Sequence, residues 1–282
     1  MDISKHKLFL TVKDFSVSKE TFDLYHDEVL DMLITSPQPD ENNLPAYYES
    51  DDYISHTDGK RSLFEKAYHF VKDIALKNKL DLINDLHTEK GSLLDIGAGT
   101  GDFLTVAKNN GWSITGIEPS DKAKNIAIKK GVSFSEKSQN LENNSFDVIT
   151  MWHVLEHVPN LDAQIKELKR LLKPNGTIII AVPNFNSYDA KHYGKFWAAL
   201  DVPRHLWHFS KTAIKLLFEK ERMKLVKVLP MKFDAFYVSL LSEKYKNGKM
   251  NFLKAFLVGL KSNLKAKSNL EFSSHIYIIK NN

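Results

Sequence analysis

The residues with the clearest chemical meaning lie in LLDIGAGTGDF (93–103). An apolar run ends in Asp95-Ile96 and meets Gly97-Ala98-Gly99-Thr100-Gly101, after which a helical pattern begins. Residues without side chains let a ligand lie directly against the backbone, and a helix start adds unpaired N–H donors. Glu118 ends the next apolar run, 19 residues after Gly99. A carboxylate at the tip of a second strand can accept both hydroxyls of a ribose. These features predict a nucleoside site. The spacing argues against a dinucleotide, because a GxGxxG loop needs its third glycine where Asp102 stands. Asp102 also puts negative charge at the helix start, which a pyrophosphate would not welcome. A ligand with a cationic, amino-acid-like portion fits better.

A second group of chemically capable residues follows. His153, His157, His192, His205 and His208 place five of the eleven histidines within 56 residues. Histidine titrates near neutrality and suits removal of a proton from a hydroxyl or amine. His153 directly follows an apolar run and is the first candidate base, with His157 next. Packing beside a helix start is an equal alternative for His157, and Glu156 reads as a helix-start carboxylate as readily as a catalytic one. Asp201, Arg204, His205 and His208 could orient an anionic or hydroxylated acceptor. The plainer expectation there is a salt-bridged loop packed by Trp207 and Phe209. Neither HExxH nor a spaced facial triad is present, so no metal site is expected.

The elements that must position these residues can be read from periodicity. SLLDI (92–96), SITGI (113–117), Val132–Phe134, FDVITMW (146–152) and TIIIAVP (177–183) read as strands. Amphipathic segments separate them: Gly101–Asn110, a helix capped by Ser120 through Lys129, and Leu161–Leu172, stopped by Lys173-Pro174-Asn175-Gly176. TIIIAVP does not alternate, so both its faces are expected to be covered. Alternation of strand and helix predicts a parallel sheet with helices on both sides. Ser210 can cap a further helix, KLVKVLP (224–230) is another strand, 234–267 is mostly helical with a break at Asn247-Gly248, and SSHIYIIK (273–280) closes as a β-type run. Before this region, KLFLTV (7–12), TFDLYH (21–26) and VLDMLIT (29–35) are candidate short strands, and a helix is expected from Ser62.

LLDIGAGTGDF, GIEPS (116–120), SFDVITMWHVLEHV (145–158) and LLKPNGTIIIAVPN (171–184) together resemble the class I S-adenosylmethionine (SAM)-dependent methyltransferases. Within that superfamily they look most like the type 11/type 23 group and the ubiquinone-biosynthesis-type O-methyltransferases. The resemblance covers residues 90–230 and the final strand. It implies an α/β, Rossmann-like, doubly wound sheet of seven strands, mostly parallel with an antiparallel last strand, carrying N-terminal and late helical appendages. It implies that Asp95, Gly97, Ala98, Gly99 and Gly101 line the methionine part of SAM and that Glu118, with Pro119, holds the ribose. Ser138, Gln139, Met151 and Trp152 are the candidates beside the adenine and the strand tip. S-adenosylhomocysteine is then the product. The resemblance also assigns lid and substrate roles to segments before the first strand, where Tyr47, Tyr48, Tyr53 and His56 are candidates; ordinary packing of aromatic side chains is the plainer expectation for them. The Cys-rich, zinc-knuckle-like start of many type 23 relatives is not carried over, since the chain has no cysteine. The Asn/Asp-Pro-Pro-aromatic loop of base-methylating relatives is also absent, which argues against a nucleic-acid acceptor.

Composition sets the outer limits. The 282 residues carry 39 Lys and Arg against 35 Asp and Glu, a net charge of +4. That surplus is too small to imply nucleic acid unless it is concentrated. Lack of cysteine excludes disulfides and thiol nucleophiles. The charged N-terminal stretch lacks the apolar core of a signal peptide, and a cytoplasmic location is expected. Two parts are expected: an accessory segment over 1–89 and a SAM-dependent domain over 90–282, with 232–270 as a helical insertion. Within 243–267, seven Lys and one Glu give 7 − 1 = +6. Leu253, Leu257, Leu260 and Leu264 form a helical stripe there, beside Phe252 and Phe256. A helix covering the sheet, or a homodimer seam, is the plainer expectation for this stripe; peripheral contact with an anionic membrane is the sharper one. The expected reaction is methylation of a small or lipid-like acceptor, at oxygen by preference. The alternatives are a silent SAM-binding scaffold and, with the wrong glycine spacing, a nicotinamide-dependent oxidoreductase.

Overall fold

The computed structural model describes residues 5–40, 42–48 and 63–282. Its centre is a Rossmann-like sheet of six strands: β4 (Ser92–Ile96), β5 (Ser113–Ile117), β6 (Phe146–Trp152), β7 (Leu172–Pro183), β9 (Met223–Pro230) and β10 (Ser274–Asn281). Their order is β5-β4-β6-β7-β10-β9. The first four are parallel neighbours, and β10 lies antiparallel between β7 and β9. Ile178 to Val182 of β7 are all fully buried, as an unalternating apolar run requires when both faces are covered.

The expected seventh strand at 132–134 is reduced to one bridge, Gly116 to Phe134. Gly116 N–H donates to the Ser133 carbonyl and Ser135 N–H to the Gly116 carbonyl, and the Phe134 ring packs where a Cβ on Gly116 would sit, so the pairing with β5 does not extend beyond this point. A second difference concerns Lys173-Pro174-Asn175-Gly176. These residues do not precede the strand but lie inside β7, between pairs Phe146–Leu172 and Val148–Thr177. The turn residues make an excursion from the ladder, because proline cannot donate to it.

Helices cover the sheet: α1 (Leu63–Leu86), α2 (Asp102–Asn109), α3 (Asp121–Lys129), α4 (Leu161–Leu171), α5 (Tyr188–Tyr193) and α6 (Lys211–Lys220). The caps are those the sequence announces. Ser120 Oγ accepts from Ala123 N–H and Ser210 Oγ from Ala213 N–H. The late insertion is a helical hairpin, α7 (Asp234–Asn247) and α8 (Phe252–Asn269), turned at Gly248 with φ 73°. Among the described residues no helix is long and apolar enough to cross a membrane.

The N-terminal segment forms a second, antiparallel sheet of β1 (Lys7–Lys13), β2 (Thr21–Asp27) and β3 (Met32–Ser36). Its third strand starts three residues later than the sequence suggests, because the Asp27 carboxylate accepts N–H groups of Val29 and Leu30 and holds them in a turn. The segment does not stand apart from the rest. β8 (Trp207–Phe209), expected as loop, pairs with β3 and completes its sheet.

Arg204 fastens the N-terminal segment to the loop that leads into β8. Its guanidinium is buried and donates to Asp14 Oδ1 at 2.9 Å, Asp201 Oδ1 at 2.7 Å and the Tyr47 carbonyl at 2.9 Å. Its donors are engaged within the fold, the plainer of the two expectations for this loop. Burial raises the Asp14 pKa, but Arg204 outweighs it and holds the carboxyl at about 2, below its ordinary 3.8. A depressed acid stabilises the fold above its unfolded value and loses that contribution as pH falls through its folded value. Truncation of Arg204 strands two carboxylates. Arg204→Ala should lower the unfolding free energy by about 3–5 kcal/mol at neutral pH. In denaturant titrations the deficit should narrow as pH falls from about 4 toward 2.

Candidate functional site

The candidate crevice is at the carboxyl ends of β4, β5 and β6, the place where an open α/β sheet binds ligands. Gly97, Gly99 and Gly101 all have positive φ, at 74°, 53° and 74°. A Cβ on Gly97 would lie 2.3 Å from Val154 Cγ2, and one on Gly101 would lie 2.6 Å from Ala127 Cβ. Those two glycines are needed for packing as well as for backbone conformation. Gly99 differs, since a Cβ there would meet nothing within 4 Å. The middle of the loop is the part that faces open space.

Hydrogen bonds pin this loop to β5. Gly97 and Ala98 N–H both donate to the Ile117 carbonyl, at 2.8 and 3.1 Å. Glu118 Oε2 accepts from Gly99 N–H and Oε1 from Ser120 N–H, both at 2.8 Å. The carboxylate is thereby oriented at the strand tip, and its two oxygens keep lone pairs for a further donor. Asp102 is not a bare charge at the helix start, because Lys72 and Lys130 each pair with it at 2.7 Å. Burial works against its ionisation, yet the two lysines hold it at about 2.

Asp95 is buried at the end of β4 and accepts from Thr150 Oγ1 at 2.6 Å. Burial pushes its pKa up to about 6, against the Thr150 bond and the Lys79 charge. Lys79 of α1 lies 4.4 Å from the centre of the Trp152 ring, and Trp152 packs edge-on against Phe103. Burial lowers the Lys79 pKa against the pull of Asp95 and Asp234. Trp152 Nε1 is buried with no hydrogen-bond partner. The Met151 side chain is fully buried in the core. Ser138 and Gln139 form a short 3-10 turn, with the Ser138 carbonyl accepting from Arg170. Pro119 lies between Glu118 and the Ser120 amide that Glu118 binds, as the chain leaves β5.

His153 follows Trp152 with φ 57°, a left-handed conformation uncommon for histidine, and its N–H donates to the Ala181 carbonyl. The ring lies between two carboxylates. Nε2 is 3.1 Å from Asp234 Oδ2 and Nδ1 is 3.4 Å from Glu156 Oε1. Burial would lower its pKa, but Asp234 and Glu156 raise it to about 10. Near neutrality the ring is an imidazolium without a free lone pair. His157 is the reverse case. Burial and the adjacent His205 push it down to about 4. His157 Nδ1 lies 3.0 Å from both the Arg204 carbonyl and the Tyr48 hydroxyl.

His205 and His208 are interior residues. His205 Nδ1 bonds the Ala199 carbonyl, and His208 Nε2 lies 3.1 Å from Thr35 Oγ1. Burial, then His205, takes His208 to about 3. Glu156, His157 and His205 place one ligand atom each within 4.8 Å of one another, a set that could hold a cation. Tyr53 and His56 lie outside the described residues. Among residues the sequence did not single out for this site, Asp234, Lys79 and Thr150 stand out. Their contacts span long separations, and no local spacing announces them.

The comparisons with known proteins agree with this geometry. A family model described as a methyltransferase domain matches residues 65–227. Ubiquinone biosynthesis O-methyltransferase of Coxiella burnetii is 31% identical over 131 residues, covering 43% of this chain and 54% of that protein. The protein of that name from Haemophilus ducreyi is 32% identical over 133 residues, covering 42% and 56%. The chain thus spans about half the length of the curated relatives it matches. Among solved structures, magnesium protoporphyrin IX methyltransferase of Synechocystis PCC 6803, with bound S-adenosylhomocysteine, superposes with a TM-score of 0.57. It is 13% identical and covers 86% of this chain and 100% of its own, which shows a shared fold. The family match runs from α1 into β9, more than half of the sequence, and the chain belongs to the methyltransferase-domain family.

Proposed function

We propose that this protein is a SAM-dependent methyltransferase acting on a hydroxyl of a small or lipid-like acceptor. The observation that carries the reading is the Gly99 backbone, open to the crevice and bonded to an oriented Glu118 carboxylate. The residues fit the cofactor. Asp95 offers a buried negative charge to its cationic amino-acid portion, and Glu118 offers lone pairs to its ribose hydroxyls. Bound there, SAM would supply a methyl group already activated on a sulfonium. The names of the relatives that act at oxygen support the choice of a hydroxyl acceptor.

The chain's own residues then have three tasks. Gly97 to Gly101 and Glu118 hold the nucleoside in one orientation. Trp152 and Phe103 form an apolar wall at the strand tip. His153 governs the acceptor proton. While Asp234 and Glu156 hold it as an imidazolium, it donates to the acceptor oxygen or stabilises its anion rather than acting as a base. It takes the proton only as the neutral imidazole, once its own Nε2 proton has passed to solvent and the acceptor hydroxyl has replaced Asp234 at that nitrogen.

Two pH tests follow from the site's charges. Asp95 attracts a cation only when ionised, so SAM affinity should rise as pH increases through about 6 and level off above it. In Asp95→Asn, calorimetry should show a weaker affinity without that rise. Removal of the Asp234 charge lowers the His153 pKa from about 10 toward its ordinary 6.5. With phenolic and catecholic acceptors, release of S-adenosylhomocysteine by Asp234→Asn should extend about one pH unit or more further into the acid range than in the parent. Identical profiles would remove His153 from the proton-transfer step, and lack of turnover with every hydroxyl acceptor would remove oxygen as the site of methylation.

A further inference from the structure

Helix α8 is built inside out. The face it turns to the protein carries small residues, Ala255, Val258, Gly259, Ser262 and Ala266. A Cβ on Gly259 would lie 2.8 Å from the Phe236 ring and 3.0 Å from the Ala235 carbonyl, so α8 packs close against α7. The large apolar residues point the other way. Leu253, Phe256, Leu257, Leu260 and Leu264 are between 39% and 71% exposed. At 100° per residue, Leu253, Leu260 and Leu264 lie opposite the centre of the small-residue face. Scattered surface leucines need no explanation, but a continuous stripe of five along one helix face does.

Charge decides among the occupants of this stripe. Lys254, Lys261 and Lys265 run along one flank and Lys267 lies in line with the stripe at the end of the helix, while Lys246 and Lys249 lie where α7 turns into α8. The one acid of the region, Glu243, is buried and paired with Lys254 at 3.2 Å. A second copy seated on the stripe would bring these lysines against their equivalents. An anionic bilayer meets both requirements: its acyl boundary takes the leucines and its headgroups take the flanking ammonium groups, reached by flexible stems.

We propose that α8 is a docking surface that lies in the plane of an anionic membrane. Helix α7, against which α8 packs, begins at Asp234, 3.1 Å from His153. The docked hairpin is thus joined directly to the candidate site through α7. Docking rests on the α8 surface and not on the methyltransferase reading, so its test needs no turnover.

The test is co-sedimentation of the full chain with vesicles of phosphatidylcholine alone and of equal parts phosphatidylcholine and phosphatidylglycerol. The parent should bind the anionic vesicles and not the neutral ones, and high salt should release it. Leu253→Asp with Leu260→Asp should lower partitioning by about tenfold or more, with circular dichroism and S-adenosylhomocysteine affinity unchanged. Lys261→Gln with Lys265→Gln should lower it by a similar factor while keeping the apolar stripe. A parent that stays in the supernatant with both vesicles would overturn the proposal. So would leucine variants that bind as the parent does. A parent dimer that the leucine variants dissociate, without vesicle binding, would assign the stripe to a second copy instead.

Discussion

The crevice depends on one carboxylate bridging two backbone amides. Glu118 joins the N–H of Gly99 to the N–H of Ser120, tying the loop after β4 to the start of α3. The three glycines of the loop have no side chains to fix their shape, and each sits where other residues are strained. Two amide bonds to the Ile117 carbonyl and the Glu118 bridge supply the constraint that side chains cannot. A charge-assisted bond to a partly buried amide is stronger than a neutral one, and it also sets the direction of the carboxylate's remaining lone pairs. The same contact thus shapes the loop and aims the acid.

Around that bridge the charges fall into two sets. Asp102 is neutralised by lysines behind the loop, whereas Asp95, Glu156 and Asp234 lie in or beside the crevice. The crevice therefore favours cations, and the charges already drawn toward it are Lys79 and the His153 imidazolium. The second sheet supports this arrangement from outside. Arg204 ties Asp14 to Asp201, and the amide of Leu206 donates to the Glu156 carbonyl, so the chain bearing His205 and His208 is held against the strand tip.

Features specified by neighbours in sequence were legible before the fold was known. The glycine loop, Glu118, the serine caps and the buried β7 each follow from a few adjacent residues. Asp234 was not, because its meeting with His153 joins residues far apart and depends on how the α7–α8 hairpin folds back. The loop at 200–209 was ambiguous for a related reason: Arg204 and its histidines have the composition of a binding site, and only burial shows that their polar atoms are spent inside. The α8 stripe misled in the opposite direction. Its leucines satisfy the rule for a core-facing helix, yet the small residues on the other face let α8 approach α7 closely and turn the leucines outward. Periodicity identifies an apolar face but does not say which of two faces is covered.

The central claim is that the glycine loop and Glu118 together hold an adenosine-containing sulfonium. The most direct measurement is isothermal calorimetry of the purified chain with S-adenosylhomocysteine, beside Glu118→Ala. The account predicts one site per chain in the parent and an affinity at least about tenfold weaker in the variant, equivalent to about 1.4 kcal/mol or more. Absence of binding heat in a folded parent across a range of temperatures, or equal affinity in the two proteins, would contradict it.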